Sequence, residues 1–228
     1  MTAKFKKALP AALFLLAAAA AAALGCTVFR SRAYAFLAAA IALLACAPFA
    51  LHFERSAPSA MRLALIAMLT ALSVVGRILF APLQSFKPVA AITILTALYF
   101  GPEAGFLTGA LSALISNFYF GQGMWTPFQM FAWGVIGLIA GWAAPRLKKS
   151  LPALCAFGAA AGLLYSLILD VYSALWFDNA FDLARYFALV ASSAPVTLIY
   201  AVSNVFFLLL LARPVGKKIQ RVIEKYGL

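Results

Sequence analysis

The stretch AGFLTGALSALISNFYFGQGMWTPFQMFAWGVIGLIAGWAAP, residues 104–145, runs for 42 residues without a charged side chain. Roughly 20 mostly apolar residues carry a helix across a bilayer, so this stretch is long enough for two crossings. It breaks at Asn117-Phe118-Tyr119-Phe120-Gly121-Gln122-Gly123, where glycines and amides cluster as in a loop. Working outward, residues 8–29, 33–51, 63–76, 88–102, 150–169 and 186–212 are also uncharged. These runs predict helices over about 8–29, 33–51, 61–80, 88–100, 103–119, 127–144, 152–175 and 186–212. None alternates in the manner of the ten-residue strands of an outer-membrane barrel.

Composition agrees. Of 228 residues 66% are hydrophobic and 11% charged, against about half and about a quarter in ordinary globular chains. That excludes a soluble enzyme, a disordered chain and a free nucleic-acid binder. The net charge of +12 is spread over the gaps between apolar runs and reads as a topology signal rather than a phosphate-binding surface. With the N-terminus inside, the inner segments hold 13 Lys and Arg and the outer ones (Arg30, Arg32, Arg77, Lys87 and Arg185) hold 5. Both termini are therefore expected in the cytoplasm, in a multi-pass protein of the cell membrane. Lys4, Lys6 and Lys7 before an Ala/Leu run resemble a signal peptide, but the run exceeds an ordinary h-region and is read as a retained span. Cys26, Cys46 and Cys155 all fall in apolar helices and read as small buried hydrophobes, with no disulfide or metal site.

A composition shift near Leu51–Ser59 divides the chain into a two-helix membrane extension with its linker, residues 1–56, and a six-helix core, residues 57–228. The chemistry is expected in the core. Much chemistry is missing. The single histidine, His52, lies in the linker, and no phosphate-binding G-x-x-x-x-G-K-[ST] loop exists, so the chain alone uses neither haem, zinc, a Ser-His triad nor ATP. Neither a cofactor nor an enzymatic activity is expected. Of six acidic residues only Asp170 falls within a helix, near its outer end.

The polar residues that do lie in the core gather at its outer ends. Arg77, Gln84 and Lys87 bracket the first outer loop. Interfacial Arg and Lys ordinarily anchor to headgroups; the functional alternative is that one meets an anionic substrate group or pairs with Asp170. Thr126-Pro127-Phe128-Gln129 fits a capping box with Pro at the first helical position, which predicts a helix starting at Pro127. Trp125, Gln129 and Trp133, spaced by four, share one face of that helix and would line a site for a flat heteroaromatic ligand. An aromatic belt explains Trp125 but explains Trp133, two turns deeper, less well. Tyr165, Asp170, Tyr172, Ser173, Trp176, Asp178, Asn179 and Asp182 end the fifth core helix, and Ser192, Ser193, Pro195, Thr197, Tyr200 and Asn204 follow in the sixth. At the inner ends stand small-residue patterns: Ala60-x-x-x-Ala64, Ala67-x-x-x-Ala71, Gly105-x-x-x-Gly109 and Gly137-x-x-x-Gly141. Such spacing serves close helix packing or docking of another membrane subunit.

The core resembles the substrate-binding S component of energy-coupling factor (ECF) vitamin transporters. The resemblance rests on the Ala67-x-x-x-Ala71 helix, Val74-Val75-Gly76-Arg77, Gly101-Pro102, the Trp125-Thr126-Pro127-Phe128-Gln129-Met130 run within 117–141, and the tail from Ser203-Asn204-Val205-Phe206 to Lys225-Tyr226-Gly227-Leu228. It implies an all-α integral membrane protein with a six-helix S-component core behind a two-helix extension that the family pattern lacks. It implies a subunit that takes a vitamin from outside and docks through the Ala67/Ala71 helix on a transmembrane T component with two ATPase subunits. It then topples to release the vitamin inward. By the same resemblance the pocket falls on Gln84, Lys87, Asn117, Trp125, Gln129, Trp133, Asp170, Trp176 and Asn204. Cobalamin and riboflavin are the favoured vitamins, with pantothenate or a thiamin precursor as further candidates. The rivals are a proton-coupled secondary transporter using Asp170, and a non-transporting membrane scaffold whose aromatics are all belts.

Overall fold

The computed structural model describes residues 59–178 and 181–227, with Leu44, Cys46, Ala47 and Phe53 before them. Apart from those four residues, the extension and its linker, with Cys26 and His52, lie outside the described residues, as does Asn179. Within them the chain is all helical: α1 (Ala60–Leu79), α2 (Val89–Phe100), α3 (Pro102–Phe120), α4 (Trp125–Leu147), α5 (Leu151–Asp178) and α6 (Leu183–Tyr226). Four of these, α1, α4, α5 and α6, are long and apolar enough to cross a membrane.

The shortest helix sits in the middle. Every residue of α2 except Tyr99 is buried, as expected of a helix that is apolar all round. It packs against each of the other five. A sharp turn joins it to α3: Gly101 takes φ 94°, open to glycine at no steric cost, and Pro102 follows at the first turn of α3. Ser59 caps α1, its hydroxyl accepting from the Arg62 N–H at 3.3 Å.

The glycine patterns prove to be packing. A Cβ on Gly137 would fall on the Gly105 carbonyl, and one on Gly109 on the Trp133 backbone; Gly141 lies against Pro102. The two Gly-x-x-x-Gly faces of α3 and α4 thus meet backbone to backbone. Gly162 does the same for α5 against Tyr200 and Ala201 of α6. The α1 alanines behave differently: Ala60, Ala64, Ala67 and Ala71 are all exposed, in company with Leu63, Met68 and Leu72. Gly137→Val should cost about 3 kcal/mol, because backbone rather than a flexible side chain blocks the new methyls. A thermal melt followed by size-exclusion chromatography reads this as a large drop in melting temperature; an unchanged melt contradicts the packing.

Two boundaries differ from expectation. α4 starts at Trp125, not Pro127, and its Thr126 makes no cap: its hydroxyl donates to Gln122 Oε1 at 3.0 Å and accepts from Asn117 Nδ2 at 2.8 Å. α6 runs to Tyr226 rather than stopping near residue 212, with Pro195 and Pro214 inside it. Tertiary packing carries it on: Val215, Ile219, Val222 and Ile223 close over Leu65, Ile66, Leu69 and Phe100.

Candidate functional site

Arg77, in the last turn of α1, points into the bundle rather than toward headgroups. Its Nη1 donates to Ser116 Oγ and, at 2.8 Å, to Asn117 Oδ1. Its guanidinium lies 4.6 Å from the Phe120 ring centroid and 4.9 Å from that of Trp133. These are neutral partners. Ring faces and an amide oxygen recover part of the hydration the cation gives up. Asp170 is not among them; its carboxylate accepts from Ser193 Oγ at 2.8 Å.

From Arg77 a chain of amides runs inward. Asn117, fully buried, donates through Nδ2 to Thr126 Oγ1 and, at 2.9 Å, to Gln129 Oε1. Gln129 Nε2 donates to the Tyr165 hydroxyl at 3.1 Å. Buried polar groups need partners of this kind, and a fully linked set also fixes side-chain geometry. Four helices, α1, α3, α4 and α5, are tied together this way.

The chain ends at an aromatic cluster. Trp133 and Tyr165 stack, with centroids 4.9 Å apart and planes 17° from parallel; Tyr200 of α6 meets Tyr165 edge-on at 4.9 Å. A cavity lies among these three rings, Ala90, Gly162 and Asn204. It encloses about 10 Å³, the room of one water. Asn204 is held by donating Nδ2 to the Gly158 carbonyl at 3.0 Å. Ligand pockets usually need about 300 Å³ or more, so a larger guest requires these rings to part.

The expected site residues therefore separate. Asn117, Gln129, Trp133 and Asn204 come together around the cavity and its amide chain. Lys87 lines the cavity, but its ammonium turns away to the carbonyls of Phe80, Ala81 and Leu83 at the end of α1, at 3.2 Å for Ala81 and 2.6 Å for Leu83. It neutralises the negative end of that helix. Burial, then the Arg77 charge, lowers its pKa from the ordinary lysine value. The Lys87 backbone is pinned to α6, its N–H donating to Ser203 Oγ at 2.9 Å. Gln84 is exposed in the loop, Trp125 is exposed at the start of α4, and Trp176 is half exposed beside Tyr172. None of these three lines the cavity, and Asp170 stands apart from it. Arg77, Tyr165 and Tyr200 were visible as polar residues of the outer clusters, yet only the structure places them at the centre. A signal for Tyr165 exists in the sequence. A hydroxyl within the uncharged run 150–169 must find a partner.

Residues 58–221 match the family model described as ECF-type riboflavin transporter, S component. No curated protein and no solved structure gives a match.

Proposed function

Because this chain belongs to the ECF-type riboflavin transporter S-component family, we propose that its aromatic cavity takes riboflavin or a closely related flavin. Members of that family are substrate-binding subunits of vitamin transporters, so the chain is a transport protein of the membrane and not an enzyme. The match lends no support to cobalamin.

The observation that carries the proposal is the cluster itself. Trp133, Tyr165 and Tyr200 line one small cavity together with Lys87 and Asn204, and two further polar groups touch these rings, the Arg77 guanidinium against Trp133 and the Gln129 amide on the Tyr165 hydroxyl. A flavin offers a broad π-face for the rings and a carbonyl edge for donors. In this reading the end of the bundle bearing Arg77, the 80–88 loop and the 121–124 turn faces outward, in keeping with the charge bias. The flavin parts Tyr165 from Trp133, takes its place in the stack, and turns its carbonyl edge to the guanidinium. Asp170 is bonded to Ser193 and does not line this cavity, so this reading gives it no part in binding. Delivery inward rests on docking through the exposed α1 face to a T component with its two ATPase subunits.

Riboflavin titrated into the purified full-length protein should lose its fluorescence as it stacks on Trp133, saturating at one flavin per chain. A flat titration, together with no calorimetric binding of the other candidate vitamins, rejects the reading.

A further inference from the structure

At the opposite end of the bundle α6 leaves an open groove of about 400 Å³, floored by Tyr99 and walled by Lys217, Gln220, Arg221 and Glu224. The ammonium of Lys148 lies 4.7 Å from the Tyr99 ring centroid. Lys217 and Arg221 line the groove that this ring floors, so three cations gather at it. The acidic group lining the groove is Glu224, which accepts from Gln220 at 3.1 Å. Ile219, buried, fixes the helix so that Lys217 and Arg221 face outward.

Depth argues for the kind of anion. The uncharged part of α6 ends at residue 212. The headgroup layer is about 5–8 Å thick on each side of the hydrocarbon. At about 1.5 Å per residue, Lys217 lies roughly 6 Å beyond Arg213, within that layer, and Arg221 roughly 12 Å beyond, past it; the long Arg221 side chain leans toward the helix N-terminus and so back toward the headgroups. The face of α6 that carries these cations is continuous with an exposed apolar stripe, Val202, Phe206 and Leu210, at spacings of four. A free phosphate would use the cations alone. A lipid would use both, with its acyl chain along the stripe and its head in the groove.

We propose that this groove is a site for an anionic phospholipid, the phosphate held by Lys217 and Arg221 over Tyr99. It is independent of the vitamin site. The test is native mass spectrometry of the full-length protein, purified in mild detergent and exposed to equal amounts of phosphatidylglycerol and phosphatidylcholine. Phosphatidylglycerol should be retained roughly 10- to 30-fold over phosphatidylcholine. The Lys217→Gln/Arg221→Gln double variant should lose that preference, and Lys217→Arg should keep it. In the wild-type protein 1 M salt should abolish the preference, a readout that does not depend on the variant folding. Equal retention of the two lipids, or an unchanged preference in the folded double variant, overturns the proposal. Saturable binding of inorganic phosphate with no lipid preference assigns a free-anion site and also overturns it. So does a variant that keeps its lipid preference but no longer assembles with partner subunits, which would mark a contact for an acidic protein surface.

Discussion

Ala67→Leu combined with Ala71→Leu should reduce riboflavin uptake in cells to background while leaving flavin binding by the purified protein within about 2-fold of wild type. Both alanines are exposed on α1, far from the cavity lined by Trp133, Tyr165 and Tyr200. Surface substitutions of this sort change stability by no more than about 0.5 kcal/mol. Any large effect must therefore come from something that covers the face. Small residues let another helix approach to backbone distance, and two leucines hold it off. The contrast with the glycines is informative. Gly105, Gly109, Gly137 and Gly141 already meet neighbours within the bundle, whereas the α1 alanines meet no such neighbour among the described residues. Measured uptake with the vitamin supplied outside, beside binding in detergent, separates the two roles. Uptake that persists in the double variant removes α1 as the docking face.

Trp133→Ala should weaken flavin binding roughly 10- to 100-fold, the worth of one ring stacked on a flat heteroaromatic. Trp133 is 5% exposed and carries Tyr165 on one face and the Arg77 guanidinium within reach. Removing so large a side chain also costs stability, about 3–5 kcal/mol for a fully buried one. The conservative Trp133→Phe keeps a stacking face and should lose only a few-fold in affinity. Trp142, on the same helix but 44% exposed, serves as the comparison: Trp142→Ala should leave affinity within about 2-fold. Calorimetry on monodisperse protein reads all three. Equal losses in Trp133→Ala and Trp142→Ala would locate the flavin elsewhere.

The helices were legible because a charge inside hydrocarbon is costly, so uncharged runs mark spans and their edges mark ends. That logic stops where lipid stops. It therefore missed the last turns of α6, which Val215, Ile219 and Ile223 hold by packing on neighbouring helices. Asn117 and Gln129 could be singled out because an amide within a buried helix needs a partner. Their actual partners, Arg77 and Tyr165, depend on which helices become neighbours, and periodicity does not encode that. Arg77 and Lys87 look alike in the sequence, each at the edge of a short uncharged run. Arg77 lies in a helical turn facing α3 and α4, and so enters the bundle. Lys87 lies past the turn, and so folds back on the open carbonyls of α1. Trp125 and Trp133 share a helix face, yet the first sits at its solvent end and the second two turns down, beside Tyr165.

The central position of α2 bears on how the protein is made. Twelve residues give a helix of about 18 Å, well short of the roughly 30 Å hydrocarbon layer. During synthesis α2 emerges before α3 to α6, yet its place is defined by contact with all of them. Too short to cross the hydrocarbon by itself, it depends on the later helices to enclose it. Membrane insertion and tertiary folding are thus one process in this chain.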